Sequence, residues 1–243
     1  MDELIIDCRK GARKGQLANY LLKLADEDQR ASLLKRMQDV AIRGLSVEID
    51  GDELMFLVHG ETEAGARVKR KHAHHGGEHV HEHHHDGDHP HAEHSEHFHW
   101  HSNAHEHRTV DEVRAIVEAS LLPDDVADDV MGVYGILAQA EAKAHDADVE
   151  SVHFHEVGND FAIASIVACC ILIDELAPSK IEATPIATGY GFVDCAHGRL
   201  PIPAPATANI LEGMPHYAGD VEGELCTPTG AAIVRHFAQG FIE

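Results

Sequence analysis

The sequence has few basic side chains, no paired-cysteine motif and no long apolar run. It carries 19 lysine and arginine residues against 42 aspartate and glutamate residues, a formal net charge of −23 with histidine neutral. Nucleic acids and anionic membrane surfaces need a basic face, so we expect neither as a partner. No run reaches the about 18 apolar residues of a membrane span, and Met1–Glu3 lacks a signal-peptide pattern, which predicts a cytoplasmic protein. The five cysteines include no CxxC motif, so we expect no disulfide framework.

Histidine is the residue type that the chain has in excess. Sixteen of its 23 histidines lie between His72 and His107, together with seven carboxylates and no lysine or arginine. Such a stretch buries too little apolar surface to offset its ordering entropy, so we predict a disordered insertion over residues 72–108. This divides the 243-residue chain into a strand–helix–hairpin part (1–71) and a helix-rich α/β part (109–243).

The insertion is predicted to bind a transition metal. Neutral imidazole is a good ligand for nickel, zinc and copper, and nothing in the segment selects one of them. Two other interpretations remain open: a solvated spacer without a selected role, and a pH-sensitive loop whose charge runs from −7 to +9 as its histidines protonate. The candidate ligands are His81, His83, His84, His85, His97, His99 and His101.

The pattern before the insertion predicts a mixed α/β fold, a small sheet covered by helices. An apolar run at Leu4–Cys8 is typical of a buried strand, and helical spacing over residues 17–37 predicts one long helix or two short ones. Alternation from Leu45, a type I′ turn signal at Asp50-Gly51 and an apolar run to Val58 predict a hairpin.

After the insertion the pattern becomes mainly helical. Thr109–Glu112 matches a capping box, and the next helix should begin near Pro123 and end near His145. Phe161–Ile173 is apolar on nearly all sides, which predicts a helix in the middle of the core, capped by Asn159 or Asp160. We further predict a strand over 181–187 and helices over 204–212 and 230–238.

The sequence HFHEVG is the first cluster that could carry chemistry. In an extended segment, residues two apart point to one side, so His153 and His155 would face together while Phe154 enters the core. Two imidazoles form half of a metal site, or a metal ligand with a base, and Glu156 adjoins them. A pair of structural histidines is an equally good interpretation.

Three further clusters follow it. GYGFVDCAHG places Gly189, Gly191 and His197 where backbone N–H groups and an imidazole could meet a ligand, although an ordinary turn also explains the glycines. The alternating prolines of LPIPAPAT favour a rigid connector. ELCTPTG places Thr227 and Thr229 at a helix start, where they would hold a phosphate or carboxylate or, alternatively, only cap the helix.

Taken together and in this order, HFHEVG, GYGFVDCAHGRLPIPAPAT and ELCTPTGAAI resemble the nickel insertion proteins that complete the nickel-pincer cofactor of lactate racemase. The opening LIIDC is similar as well, so the resemblance spans both flanks, from Leu4 to about Phe237. It implies a cyclometallase that places Ni²⁺ into a pyridinium bis-thiocarboxylate mononucleotide and uses CTP with Mg²⁺ or Mn²⁺.

The resemblance also implies roles for individual residues. His153, His155 and Glu156 become candidates to hold nickel or to accept the carbon-bound proton. The residues expected to contact the mononucleotide are Gly189, Gly191, His197, Thr227 and Thr229.

The chain departs from the family pattern at three carboxylates and in length. Lys14-Gly15-Gln16 stands where the family has Gly-Asp-Met, and Phe161 and Ser165 stand at two aspartate positions. Family members often carry a C-terminal CTP-binding domain; here either a separate subunit supplies it, or the chain is a divergent stand-alone form. These departures keep a second function open, a nickel-binding or storage protein without the chemistry. The sequence does not decide whether the chain forms a homo-oligomer.

Overall fold

The computed structural model describes residues 1–66, 108–195 and 198–242. Within them the chain has a mixed α/β fold with small sheets and packed helices, which confirms the predicted fold class. The predicted disorder of residues 72–108 lies almost entirely outside the described residues, with only Arg108 inside them, and stays a prediction.

A buried helix, α5 (Asp160–Leu176), forms the centre of the molecule. All of its residues are buried except Asp174 and Glu175 in the last turn, so the prediction of an apolar central helix is confirmed. Asn159 is its N-cap, because its side chain accepts from the N–H of Ala162. Helices α1 (Lys14–Leu24) and α2 (Glu27–Met37) pack against it, so the stretch predicted as one or two helices forms two.

The main sheet is small and parallel. Its strands are β1 (Glu3–Ile6), β6 (Lys180–Ala183) and β13 (Gly240–Phe241), in the order β1-β6-β13. The strand predicted over 181–187 is interrupted after Ala183, and its second half is β7 (Ile186–Ala187). Pro185 between them has no N–H for a ladder bond, which accounts for the break. The short β13 carries no sequence signal long enough to predict.

The predicted hairpin consists of β2 (Leu45–Asp50) and β3 (Glu53–Val58), with Asp50 paired to Glu53. Its central turn residues are therefore Gly51 and Asp52, one position later than predicted. Of these only Gly51 has a positive φ, at 60°. That pattern is typical of a type II′ turn, so the prediction of type I′ is wrong.

Two helices follow residues 67–107. Helix α3 (Val110–Ala119) begins with the predicted capping box, in which Thr109 and Glu112 exchange side-chain and backbone hydrogen bonds. Helix α4 (Asp124–His145) ends at the predicted residue, where Asp146 takes the left-handed conformation. The remaining elements are β4 (Arg108–Thr109), β5 (His153–Phe154), β8 (Gly189–Tyr190), β9 (Phe192–Cys195), β10 (Gly198–Pro201), α6 (Pro205–Leu211), β11 (His216–Tyr217), β12 (Gly223–Glu224) and α7 (Pro228–Phe237), with short 3₁₀ turns at Val149–Ser151 and Glu156–Gly158.

One buried apolar core unites the residues on both sides of 67–107. It extends from Leu4 in β1 to Val234 in α7 and includes side chains of both helices that pack on α5. The predicted parts 1–71 and 109–243 thus contribute to a common core. In the described part of the chain, no helix is long and apolar enough to cross a membrane.

Candidate functional site

A cavity of about 870 Å³ lies where the sequence motifs meet. Residues of HFHEVG, GYGFVDCAHG, LPIPAPAT and ELCTPTG all line it, although they are far apart in the chain. Its volume lies within the range of small-molecule sites. The polar and charged side chains of its lining are Arg13, Lys14, Gln16, Glu63, Glu141, His145, His155, Glu156, Asp194, Cys195, Glu224, Thr227 and Thr229.

The HFHEVG motif contributes two of its predicted site residues to this cavity. Phe154 is fully buried, as predicted, with its ring centroid 5.4 Å from that of Tyr134. After β5 the backbone leaves the extended region, with φ −83° and ψ −96° at His155. His155 and Glu156 line the cavity, whereas His153 is exposed and is not part of the lining. The metal-binding role of His153 stays a prediction.

Buried polar contacts fix the turn that follows His155. The hydroxyl of Tyr134 donates to the carbonyl of Val157 at 3.0 Å, and burial raises the pKa of this phenol, so it remains a donor. Arg108 donates to the carbonyl of Gly158 at 2.7 Å and to the carboxylate of Asp160 at 2.5 Å. Because Arg108 and Asp160 are both buried, Asp160 is a structural residue here, and Asn159 makes the cap.

Two helix N-termini meet at the cavity through a close backbone contact. The N–H of Ala12 donates to the carbonyl of Leu225 at 3.0 Å, and the N–H of Thr227 donates to the carbonyl of Ala12 at 3.0 Å. Gly230 makes this approach possible, because a Cβ there would stand 2.0 Å from the Ala12 carbonyl oxygen. The first turns of α1 and α7 therefore lie side by side, and such turns attract anions.

Basic side chains reinforce this part of the lining. Arg13 precedes α1 and donates to the carbonyl of Glu224, and Lys14 makes an ion pair with Glu63 at 3.1 Å. Thr227 caps α7 by accepting from the N–H of Gly230, which is one of its two predicted roles. Glu63 and Glu224 line the cavity as well, and the Glu63 carboxylate partly neutralises Lys14. The backbone N–H groups at the helix starts and the guanidinium of Arg13 are therefore the main features here that suit a phosphate or carboxylate.

The cavity contains a second histidine that sequence analysis missed. His145 ends α4, and its ring centroid lies 6.5 Å from that of His155. The carboxylate of Glu141, one turn earlier, lies 3.6 Å from Nε2 of His145. Periodicity predicted where the helix ends, but no local signal shows that its last residue meets a motif ten positions later.

Of the other residues predicted to contact the substrate, Thr229 lines the cavity and the two glycines do not. Thr229 is buried and lines the cavity with Thr227. Gly189 and Gly191 are not part of the lining, and both have positive φ, 79° and 97°. A Cβ at Gly189 would stand 1.8 Å from the carbonyl oxygen of Gly223, so this glycine is needed for strand pairing. His197 lies outside the described residues, as do all the candidate metal ligands between His81 and His101.

A second pocket, of about 490 Å³, brings together the three departures from the family pattern. Gly15, Phe161 and Ser165 all line it, and the Ser165 hydroxyl donates to the carbonyl of Phe161 at 2.6 Å. It shares Lys14 and Glu63 with the larger cavity. The positions at which the family resemblance implies carboxylates are thus neighbours in space, and here they carry no charge.

Among the cysteines, Cys195 alone lines the cavity, and it is partly exposed. The other four are buried, as predicted for Cys169 and Cys170. Burial raises the pKa of Cys8, Cys169 and Cys226 to about 12, so these thiols stay protonated at neutral pH.

Within residues 1–66, 108–195 and 198–242, no group of three or more histidine, cysteine, aspartate or glutamate side chains is arranged to hold a metal ion. The cavity therefore offers a histidine pair and scattered carboxylates rather than a closed metal site. Such an arrangement leaves positions around a bound metal for ligands from elsewhere.

Comparison with known proteins decides which family these motifs indicate. A family model described as nickel insertion protein matches residues 4–243. The chain belongs to the nickel insertion protein family. This confirms the family that the motifs indicated, and the nickel insertion protein relatives agree with it.

The chain is 49% identical over 135 residues to the pyridinium-3,5-bisthiocarboxylic acid mononucleotide nickel insertion protein of Desulfitobacterium hafniense, a match over 56% of this chain and 34% of that protein. It is 43% identical over 132 residues to the protein of the same name from Staphylococcus saprophyticus, over 54% and 34% of the two chains. The matched region thus spans about a third of these relatives. No solved structure matches this chain significantly.

Proposed function

We propose that this chain binds nickel and a pyridinium-3,5-bisthiocarboxylic acid mononucleotide in the 870 Å³ cavity and inserts the metal into the mononucleotide. The observation that carries the proposal is the meeting of HFHEVG, GYGFVDCAHG, LPIPAPAT and ELCTPTG around one cavity. Relatives 43–49% identical to this chain are named for that reaction.

The anionic end of the mononucleotide would bind at the paired helix starts. Arg13 and Lys14 supply positive charge there, the first residues of α1 supply backbone N–H groups, and Thr227 and Thr229 supply hydroxyls at the start of α7. These local donors would hold a phosphate in spite of the overall negative charge. The pyridinium ring would then extend toward the histidine pair.

Nickel–carbon bond formation replaces a ring proton, so the site also needs a base. Glu156 is exposed to the cavity beside His155, and its carboxylate is our candidate to accept that proton. His155 would hold nickel through one ring nitrogen. The two sulfur ligands of the product would come from the substrate, and nickel would stay in the +2 state throughout.

The proposed reaction also uses CTP with Mg²⁺ or Mn²⁺, and we propose that a separate subunit binds this nucleotide. The described cavity lining holds one set of phosphate-type donors, which the mononucleotide would occupy. The histidines between His72 and His107 would gather the metal, because neutral imidazoles bind nickel well and this segment adjoins β4, which pairs with β5 of the HFHEVG motif.

The test mixes the full chain with Ni²⁺, Mg-CTP and the mononucleotide precursor, with and without the separately produced C-terminal part of a curated relative. We expect the nickel-containing product, identified by its mass and isotope pattern, when both parts are present. If no product forms in either mixture at any nickel concentration, the proposal is rejected.

A matched pair of variants locates the reaction. Thr229→Val removes a buried hydroxyl from the cavity and keeps its volume, whereas Ser46→Ala removes an exposed hydroxyl on β2 that lies outside both pockets. We expect Thr229→Val to raise the KM for the precursor by at least tenfold. Ser46→Ala should leave that KM within twofold, and equal effects of the two variants would argue against this cavity.

The second pocket favours an alternative function, nickel binding or storage without insertion. Gly15, Phe161 and Ser165 occupy the three positions where the family resemblance implies carboxylates, and these positions adjoin the cavity. If carboxylates there bind the Mg²⁺ of CTP, this chain lacks those ligands. Two results together would establish the alternative. The unchanged chain would bind nickel tightly but form no product in either mixture, and the chain with Phe161→Asp and Ser165→Asp would form product.

A further inference from the structure

We infer that His145 and His155 together form the nickel-docking pair of the cavity, with His145 as a metal ligand that no motif indicates. The inference rests on the proposed function for the identity of the metal. It differs from the sequence expectation, which paired His155 with His153.

The two rings lie close to the separation that a shared metal ion requires. An imidazole that ligates a first-row metal at about 2.1 Å has its ring centroid about 3.2 Å from the metal. Two such rings lie at most about 6.4 Å apart, and about 4.5 Å apart when the nitrogens are adjacent ligands. The observed separation of 6.5 Å lies just beyond this range, so a shared metal requires the His145 ring, whose side chain is 44% exposed, to rotate toward His155.

The local charge favours a cation at this point. His145 is the last residue of a 22-residue helix, whose carboxyl end carries a partial negative charge. Glu141 lies 3.6 Å from the His145 ring, and Glu156 follows His155 directly. The cationic side chains of the lining, Arg13 and Lys14, belong to the other group, at the starts of α1 and α7.

A pair of ligands is better suited to delivery than a closed site. The described residues offer no group of three metal ligands, so nickel held by two imidazoles keeps water in its other positions. Sulfur donors of a substrate can replace those waters one by one before either imidazole leaves. His153 is exposed outside the cavity, and a metal held there would be remote from the bound substrate.

The experiment is histidine footprinting of the full chain with diethyl pyrocarbonate, read residue by residue by mass spectrometry. Nickel is added alone, in excess over the capacity of the segment between His72 and His107, so that the many histidines there do not obscure the result. The variants are His145→Asn and, as the matched control, His153→Asn, which changes an exposed histidine of the same motif.

In the natural chain we expect nickel to slow modification of both His145 and His155 by at least tenfold. In His145→Asn the protection of His155 by nickel should be lost, while its metal-free rate stays unchanged and shows that the fold is intact. In His153→Asn the protection should persist. Protection of His155 that survives His145→Asn, or that disappears in His153→Asn, would overturn the inference.

A second variant covers the case in which His145→Asn alters the metal-free rate. His145→Gln keeps a long polar side chain at the half-exposed end of α4 and should also abolish nickel protection of His155. The outcome is separable from that of the insertion assay, because no precursor is present. Protection without product refutes the proposed function alone, and product without protection refutes the docking pair alone.

Discussion

The contact between the first turns of α1 and α7 predicts opposite effects for the same substitution at two helical glycines. In Gly230→Ala the new Cβ would stand 2.0 Å from the carbonyl oxygen of Ala12 and 2.9 Å from the nitrogen of Arg13. Both neighbours are backbone atoms, so the two segments must separate by more than about 1 Å to reach ordinary contact. Gly135 in α4 is the control, because its Cβ would meet nothing within 4 Å.

The expected magnitude follows from the bonds at this contact. Separation stretches the hydrogen bonds from Ala12 to Leu225 and from Thr227 to Ala12, each worth about 1 kcal/mol, and overpacking adds about 2 kcal/mol. Because alanine has a higher helix propensity than glycine, it stabilises the helix by about 1 kcal/mol and offsets part of this loss. We therefore expect Gly230→Ala to lower the free energy of unfolding by about 3 kcal/mol and Gly135→Ala to raise it by about 1 kcal/mol.

Equilibrium urea unfolding, followed by circular dichroism, measures both values. The slope of the unfolding free energy against urea concentration should be the same in the three proteins, so that differences in the unfolding midpoint report differences in stability. A Gly230→Ala protein as stable as the natural chain would refute the close contact that joins the two helix starts. A loss of equal size in Gly135→Ala would show that glycine is needed at both positions for another reason.

Three other predictions concern residues around the cavity and the first strand. Asp160→Asn leaves the buried guanidinium of Arg108 without its carboxylate and should cost about 3 to 5 kcal/mol of unfolding free energy in urea titrations; a loss below 1 kcal/mol would contradict the buried ion pair. At pH 8 a thiol reagent should modify Cys195 alone in the folded chain and all five cysteines after unfolding, and Cys195→Ser should abolish the fast reaction. The guanidinium of Arg9 lowers the pKa of Asp7 to about 2. The stability that this pair contributes is therefore present above the ordinary carboxyl pKa and is lost as the pH falls through about 2. An NMR titration should show that the pKa of Asp7 rises in Arg9→Ala.

Local signals in the sequence were sufficient for most of the helices. The capping box at Thr109, the cap at Asn159 and the all-apolar α5 depend on neighbours within one or two turns, so their patterns are readable along the chain. Short strands were harder to predict. Two residues of β13 align with β6 only because the sheet already exists, and the turn after Asp50 differs from its prediction by one position.

The candidate site shows the same division. HFHEVG and ELCTPTG were singled out because their residue types suit chemistry, and His155, Glu156, Thr227 and Thr229 line the cavity. Arg13, Lys14 and His145 were missed, since each lies in an ordinary helix end. Only the packing of α1, α4 and α7 around the motif loops gives these residues a place in the site. Such long-range proximity leaves no periodic trace in a single sequence.

The attachment of residues 67–107 to the fold bears on how freely this segment can change in length. The chain just before it is held by the ion pair of Glu63 with Lys14, beside Phe161, and the chain just after it by the ion pair of Arg108 with Asp160. The residues before it are thus held at the start of α1, and the residue after it at the start of α5, on which α1 packs. In general, doubling the length of a flexible segment between two fixed points adds only about 0.6 kcal/mol of closure entropy. Histidines can thus be gained or lost there over evolutionary time while the cavity keeps its shape.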